Sequence, residues 1–185
     1  MEQLIKKTQS ALGYTDQEIR YIRYAFTALL YDGSKLFIFA FFFYFTGHFM
    51  HFLFALVPLM ILRFKLGGLH FKKYITCFIV SFIYLYSAIF LLPMLCFPHP
   101  LAIYIILLLC TVICYYVGPN SLTRKTPKSE EYCRKAKFET FQLILVIALL
   151  IFIFSANEYL LVSFWTVVLH TIQLSITKLM KEVKT

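Results

Sequence analysis

Five long stretches of this chain contain no Asp, Glu, Lys or Arg: residues 36–62, 74–97, 101–118, 140–157 and 159–177. A helix needs about 20 mainly apolar residues to cross the hydrocarbon of a bilayer, and each stretch is near or above that length. Of the 185 residues, 61% are hydrophobic and 15% charged, against about 45–50% and 25% in soluble domains, so lipid must cover much of the apolar surface. The fold class expected is therefore all-α, a polytopic helical membrane protein. No Pro/Gly/Ser-rich linker or repeat divides the chain. It reads as a single membrane domain over 1–185, with amphipathic cytoplasmic-face helices in 1–35, a transmembrane bundle over 36–177 and a cytoplasmic tail over 178–185. Residues 1–35 carry charges of both signs and lack the compact apolar core of a cleavable signal peptide.

The net charge of +9 reads as topology and attraction to anionic lipid, because no soluble basic face suited to nucleic acid is evident. Arg63, Lys65, Lys72 and Lys73 occupy one connection; Arg124, Lys125, Lys128, Arg134, Lys135 and Lys137 occupy another; Lys178, Lys181 and Lys184 end the chain. The positive-inside rule places all three in the cytoplasm. The connections around Pro98-His99-Pro100 and Asn157-Glu158 carry no Lys or Arg and fall outside. Lys6, Lys7, Arg20, Arg23 and Lys35 place the N-terminal segment inside too. Residues 36–62 must then return to the side they started from, so a break is expected at Thr46-Gly47-His48, giving about four full spans plus a broken or re-entrant segment. One long tilted helix with the N-terminus outside is the alternative. Thr15-Asp16-Gln17-Glu18 is a capping box, followed by Ile19, Ile22, Phe26 and Leu29 at helical spacing, which predicts an amphipathic surface helix.

The segment from Arg63 to Cys77 carries the chemistry. It places His70 and Cys77 seven residues apart at the edge of a span, and cysteine proteases need that pair: imidazole removes the thiol proton and the thiolate attacks a carbonyl. On one straight helix the two would lie about 10 Å apart along the axis, beyond hydrogen-bond reach. The backbone must therefore turn between them, with His70 on a loop and Cys77 in the opening turns of the next helix. Gly67-Gly68 supplies a turn. Lys72, Lys73 and the helix dipole would favour a thiolate at Cys77, and free N–H groups at the helix start would suit an oxyanion. A snorkelling histidine and a small packing cysteine remain the plain alternative.

Arg63, Gly67-Gly68-x-His70 and Cys77 after six intervening residues resemble the signature of the accessory gene regulator B family, bacterial membrane cysteine endopeptidases of quorum sensing. Gly118-Pro119 through Thr126-Pro127, followed by Arg134-Lys135-Ala136-Lys137, is similar to that family's Pro-containing basic segment. The resemblance implies His70 and Cys77 as a catalytic dyad at the cytoplasmic face of the bacterial cell membrane. It implies an AgrD-like pro-peptide as substrate, with an amphipathic helix and an acidic C-terminal tail that Cys77 would cleave through a thioester, passing the peptide on to thiolactone or lactone closure. Arg63, Lys65, Gly67, Gly68, Lys72 and Lys73 are then the candidates for substrate binding. A homodimer and the bilayer are the other partners implied. No cofactor, metal or nucleic acid is expected.

A small peptide transporter or export component, with structural His70 and Cys77, is the competing reading; it would place polar substrate groups near the bilayer midplane. Cys110 and Cys114, at i,i+4 within a span, read as packing residues, and Cys96 and Cys133 fall on opposite sides. His48 and His51 should serve the break beside them, while His170 and Gln173 are expected to make interhelical hydrogen bonds. With no acidic residue from Gly33 through Ser129, Asp32, Asn120 or a backbone carbonyl would have to orient His70. GxSxG, HExxH and Walker motifs are missing from the sequence.

Overall fold

The computed structural model describes residues 16–68, 73–95, 99–119, 129–154 and 157–182, and among these every regular element is helical. The chain forms two compact units, one ending at Phe42 and one starting at Phe43. Helix α1 (Asp16–Phe45) begins within the expected capping box and runs unbroken through the boundary expected at residue 35. Lys35, itself buried, donates from Nζ to Asp32 Oδ1 at 2.9 Å, so two opposite charges one turn apart offset each other within an apolar helix.

The break falls at Thr46-Gly47-His48, where it was expected. Gly47 has φ +76°, a left-handed conformation that glycine adopts without a Cβ penalty. Gly47 and His48 N–H groups donate to Tyr44 and Phe43 carbonyls at 3.1 and 2.8 Å, and His48 Nδ1 donates to Thr46 O at 2.7 Å, so the backbone groups released by the turn are satisfied. Past the turn, α2 (Phe49–Leu66) has 18 residues, because it continues through the charged end at Arg63 and Lys65. It is one of five helices long and apolar enough to span a bilayer, against about four expected. Arg63 and Lys65 lie at its far end, and the positive-inside rule, which expects them in the cytoplasm, then expects the turn outside the cell. His48→Cys should therefore react with a membrane-impermeant maleimide added to intact cells, and Ser10→Cys only after permeabilisation; the opposite pattern would reverse this orientation.

The other spans are α3 (Tyr74–Tyr86), which continues through a π-helical turn (Ser87–Leu91) into α4 (Leu92–Leu95), then α5 (Pro100–Val117), α6 (Glu130–Ile153) and α7 (Glu158–Glu182). The π turn precedes Pro93, whose ring would otherwise collide with the carbonyl four residues back. Pro58 in α2 frees the carbonyl of Phe54 in the same way, and Ser163 Oγ from α7 donates to it at 2.7 Å. A lost helical bond is thus replaced across helices, as apolar surroundings require.

Helix α7 is the core of the second unit. Two thirds of its span window is buried (67%), against 22–33% for the other four. Phe164, Val167 and Leu174 are fully covered, and they join Leu62, Leu66, Ile103, Leu107, Cys110, Cys114, Ile144 and Ile151 in one apolar cluster. Cys110 and Cys114 pack there, as their spacing anticipated. Helix α6 begins ten residues ahead of the charge-free stretch expected to form its span. Ser129 Oγ accepts from Tyr132 N–H at 3.2 Å, and Glu130 and Glu131 follow in the first turn, where the dipole favours them.

Candidate functional site

The last turn of α2 sets one wall of the site. Gly67 donates its N–H to Arg63 O at 3.0 Å and closes the helix with φ +85°, ψ −154°, a conformation essentially reserved to glycine. The Phe64 and Lys65 carbonyls, in the last turn of the helix, accept from the Tyr132 hydroxyl of α6 at 3.2 and 3.4 Å. Lys65 is ion-paired with Glu139, also on α6. The α2 basic end and the second basic segment, with Arg134, Lys135 and Lys137, therefore meet at one end of the second unit.

The Lys65–Glu139 pair gives Lys65 a partner within the chain, whatever it also does for a substrate. Lys65→Met and Glu139→Gln should each lower thermal stability in detergent by about 1 kcal/mol, and the double variant by less than their sum. Strict additivity would show that the pair contributes nothing.

The start of α3 supplies the second element of the candidate site. Lys73, extended at φ −90°, ψ +130°, precedes Tyr74 without side-chain capping. The first i to i−4 bond runs from Cys77 N–H to Lys73 O at 3.1 Å, so Cys77 is the fourth helical residue and the N–H groups of Tyr74, Ile75 and Thr76 have no helical acceptor. Cys77 is buried and shares the inward stripe of Ser81, Tyr84 and Leu85. Its thiol belongs to the first turn, where the helix dipole favours negative charge. No continuous helix runs from position 70 to position 77, since α3 starts at Tyr74. His70 and Lys72 lie outside the described residues, as do Arg124, Lys125, Lys128, Asn120 and Cys96.

The third element is α7. Its buried face carries Thr166, His170, Gln173 and Thr177 at helical spacing. Thr166 and Thr177 hydroxyls donate to carbonyls one turn back, and the Thr166 carbonyl accepts from the Tyr84 hydroxyl at 2.6 Å. His170 and Gln173 break the pattern. Both were expected to bond across helices, yet among the described residues neither His170 ring nitrogen nor Gln173 Oε1 has a partner. A Cβ placed on Gly68 would sit 3.8 Å from His170 Cε1 and from Gln173 Oε1, so the Gly67-Gly68 segment lies directly against them. Arg63 lies beside the same face, its guanidinium carbon 5.9 Å from the centre of the Tyr84 ring and its buried Nε without an acceptor. The sequence did signal His170 and Gln173, three apart among apolar neighbours, but not that Gly68 covers them.

Lys137 Nζ lies 4.5 Å over the Tyr115 ring, beside a cavity of about 770 Å³ between α5 and α6 that Arg134 and Cys133 also line. His51, by contrast, sits at the far end of α2, with Nε2 3.9 Å from Glu158 Oε2, away from this region. Among the described residues, no group of three His, Cys, Asp or Glu side chains could hold a metal ion. A family model described as Accessory gene regulator B matches residues 1–174. No curated protein and no solved structure matches the chain.

Proposed function

The chain belongs to the accessory gene regulator B family of multi-pass membrane proteins, which act in quorum-sensing peptide processing on an AgrD-type pro-peptide, and on that premise we propose that it is a cysteine endopeptidase using Cys77 as nucleophile and His70 as base. The observation that carries this reading is the position of Cys77: buried, inward-facing and in the first turn of an uncapped helix that follows the Gly67-Gly68 turn.

In the proposed reaction His70 takes the Cys77 thiol proton, and the thiolate attacks the carbonyl carbon at the junction between the peptide and its tail. The oxyanion is met by backbone N–H groups at the start of α3. Collapse of the adduct breaks the C–N bond, His70 returns the proton to the leaving amine, and the peptide remains on Cys77 as a thioester. A thiol or hydroxyl of the peptide then attacks that carbonyl, expelling Cys77 and closing a thiolactone or lactone. Exclusion of water keeps the thioester for ring closure, which suits a cysteine buried at a bundle edge. The basic ends of α2 and α6 belong, on this account, to the cytoplasmic face, where Arg63, Lys65, Lys72 and Lys73 attract the tail and Gly67 and Gly68 shape its path.

Co-expression with the cognate pro-peptide tests the reading. Wild type should release the tail, while Cys77→Ala and His70→Ala should leave the pro-peptide intact. Export of uncut pro-peptide, unchanged by either substitution, would favour the transporter instead.

A further inference from the structure

We propose that Arg63, His170 and Gln173 form a carboxylate-binding recess beneath Gly68 that receives an acidic side chain of the peptide substrate and so fixes its register at Cys77. The proposal rests on the peptide-processing reading and goes one step further, to residues on α7 that hold the substrate without touching the reacting atoms.

Three observations converge on it. His170 is fully buried and Gln173 nearly so, at 0% and 7% exposure, yet His170 Nδ1 and Nε2, Gln173 Oε1 and Arg63 Nε have no hydrogen-bond partner among the described residues. Buried polar groups are almost always satisfied, and an ionisable side chain inside a membrane bundle is retained at a cost. Four such atoms at one place mark a site whose partner comes from elsewhere.

Second, the charge is one-sided. Among the described residues Arg63 has no carboxylate in ion-pair range, and Glu139, on α6, is paired with Lys65. A partly buried guanidinium without a counter-charge favours an anion strongly. The remaining groups fit a carboxylate in particular. Either nitrogen of a neutral imidazole can carry the proton, and a half-turn of the Gln173 amide presents its NH₂ where Oε1 now stands. With Arg63 Nε–H these make three donors for two carboxylate oxygens.

Third, only backbone lies over these groups. Gly68 brings only backbone against His170 and Gln173, with ordinary van der Waals spacing at the position of a Cβ. Gly67, in its glycine-only conformation, directs the chain there from the last turn of α2. The site lies beside the stripe that Cys77 shares with Tyr84, the ring over which Arg63 rests.

The test uses the full chain in nanodiscs and its cognate pro-peptide, with tail release followed by mass spectrometry. Gln173→Glu supplies Arg63 with an internal carboxylate and blocks the recess without emptying it. It should raise KM about 10- to 100-fold, the range for one charge-assisted hydrogen bond, with kcat nearly unchanged and thermal stability preserved. His170→Phe should raise KM in the same range. One Asp-to-Asn or Glu-to-Gln change in the pro-peptide should reproduce that rise with wild type and add little with Gln173→Glu. Wild-type KM in both variants, or full additivity with every peptide change, would show that the recess holds only water. Binding of a fluorescent pro-peptide to Cys77→Ala gives a readout independent of cleavage. If wild type binds with this pattern but releases no tail, the endopeptidase reading falls and the recess stands.

Discussion

Cys77→Ala should reduce tail release by about 10³-fold or more, to the background rate, while the protein still inserts and binds its pro-peptide. The substitution removes one sulfur atom from a small buried position, and the cavity it leaves costs about 1 kcal/mol, too little to unfold the bundle. Its thermal transition should therefore stay close to that of wild type. Cys77→Ser should be nearly as inactive, because a hydroxyl is far harder to ionise than a thiol at neutral pH and the helix start offers only a partial charge. His70→Gln should fall comparably while keeping polarity and approximate size. If the two residues act as a unit, the double variant should be no worse than either single one. Independent, multiplying losses would show that His70 serves some other step. The kinetics of purified protein check all three.

The second large effect concerns a residue with no side chain to offer. Gly67→Ala must place a Cβ at φ +85°, ψ −154°, a region that costs a non-glycine residue about 1–3 kcal/mol. The chain can relieve that strain by moving, and what lies downstream is the segment leading to His70. A displacement of about 1 Å at a catalytic group is worth about 10²-fold in rate. Gly67→Ala should therefore lower kcat by about two orders of magnitude while costing no more than a few kcal/mol of stability. Gly33→Ala, in mid-helix with open space around the new methyl, should leave kcat unchanged. Equal activities of the two variants would mean that the end of α2 does not position the active site.

Much of the fold could be read in the charges. Charge-free stretches marked the helical spans because a charge is costly in hydrocarbon, and Thr46-Gly47-His48 marked the turn because a polar, glycine-containing tripeptide interrupts an otherwise apolar run. The ends were less legible. Helix α6 starts at Glu130 and α2 continues through Arg63 and Lys65, because a helix satisfies its own backbone on either side of the membrane surface, and charge reports only where the lipid stops. Of the candidate site, Arg63, Gly67-Gly68, His70 and Cys77 stood out in the sequence as a local motif. His170 and Gln173 entered the sequence reading as interhelical glue. Their meaning depends on Gly68, about a hundred residues away in the chain, and no local pattern reports that contact. Lys65 likewise read as a topology charge and a candidate for substrate binding, and only the packing of α6 against α2 reveals its pairing with Glu139.

The most direct test of the central claim is the intact mass of the purified protein after brief mixing with its pro-peptide and acid quench. The account predicts a species heavier by the pro-peptide less its tail, attached at Cys77, removed by hydroxylamine and missing from Cys77→Ala. Tail release at the wild-type rate by Cys77→Ala, or a covalent adduct on any other residue, would contradict it.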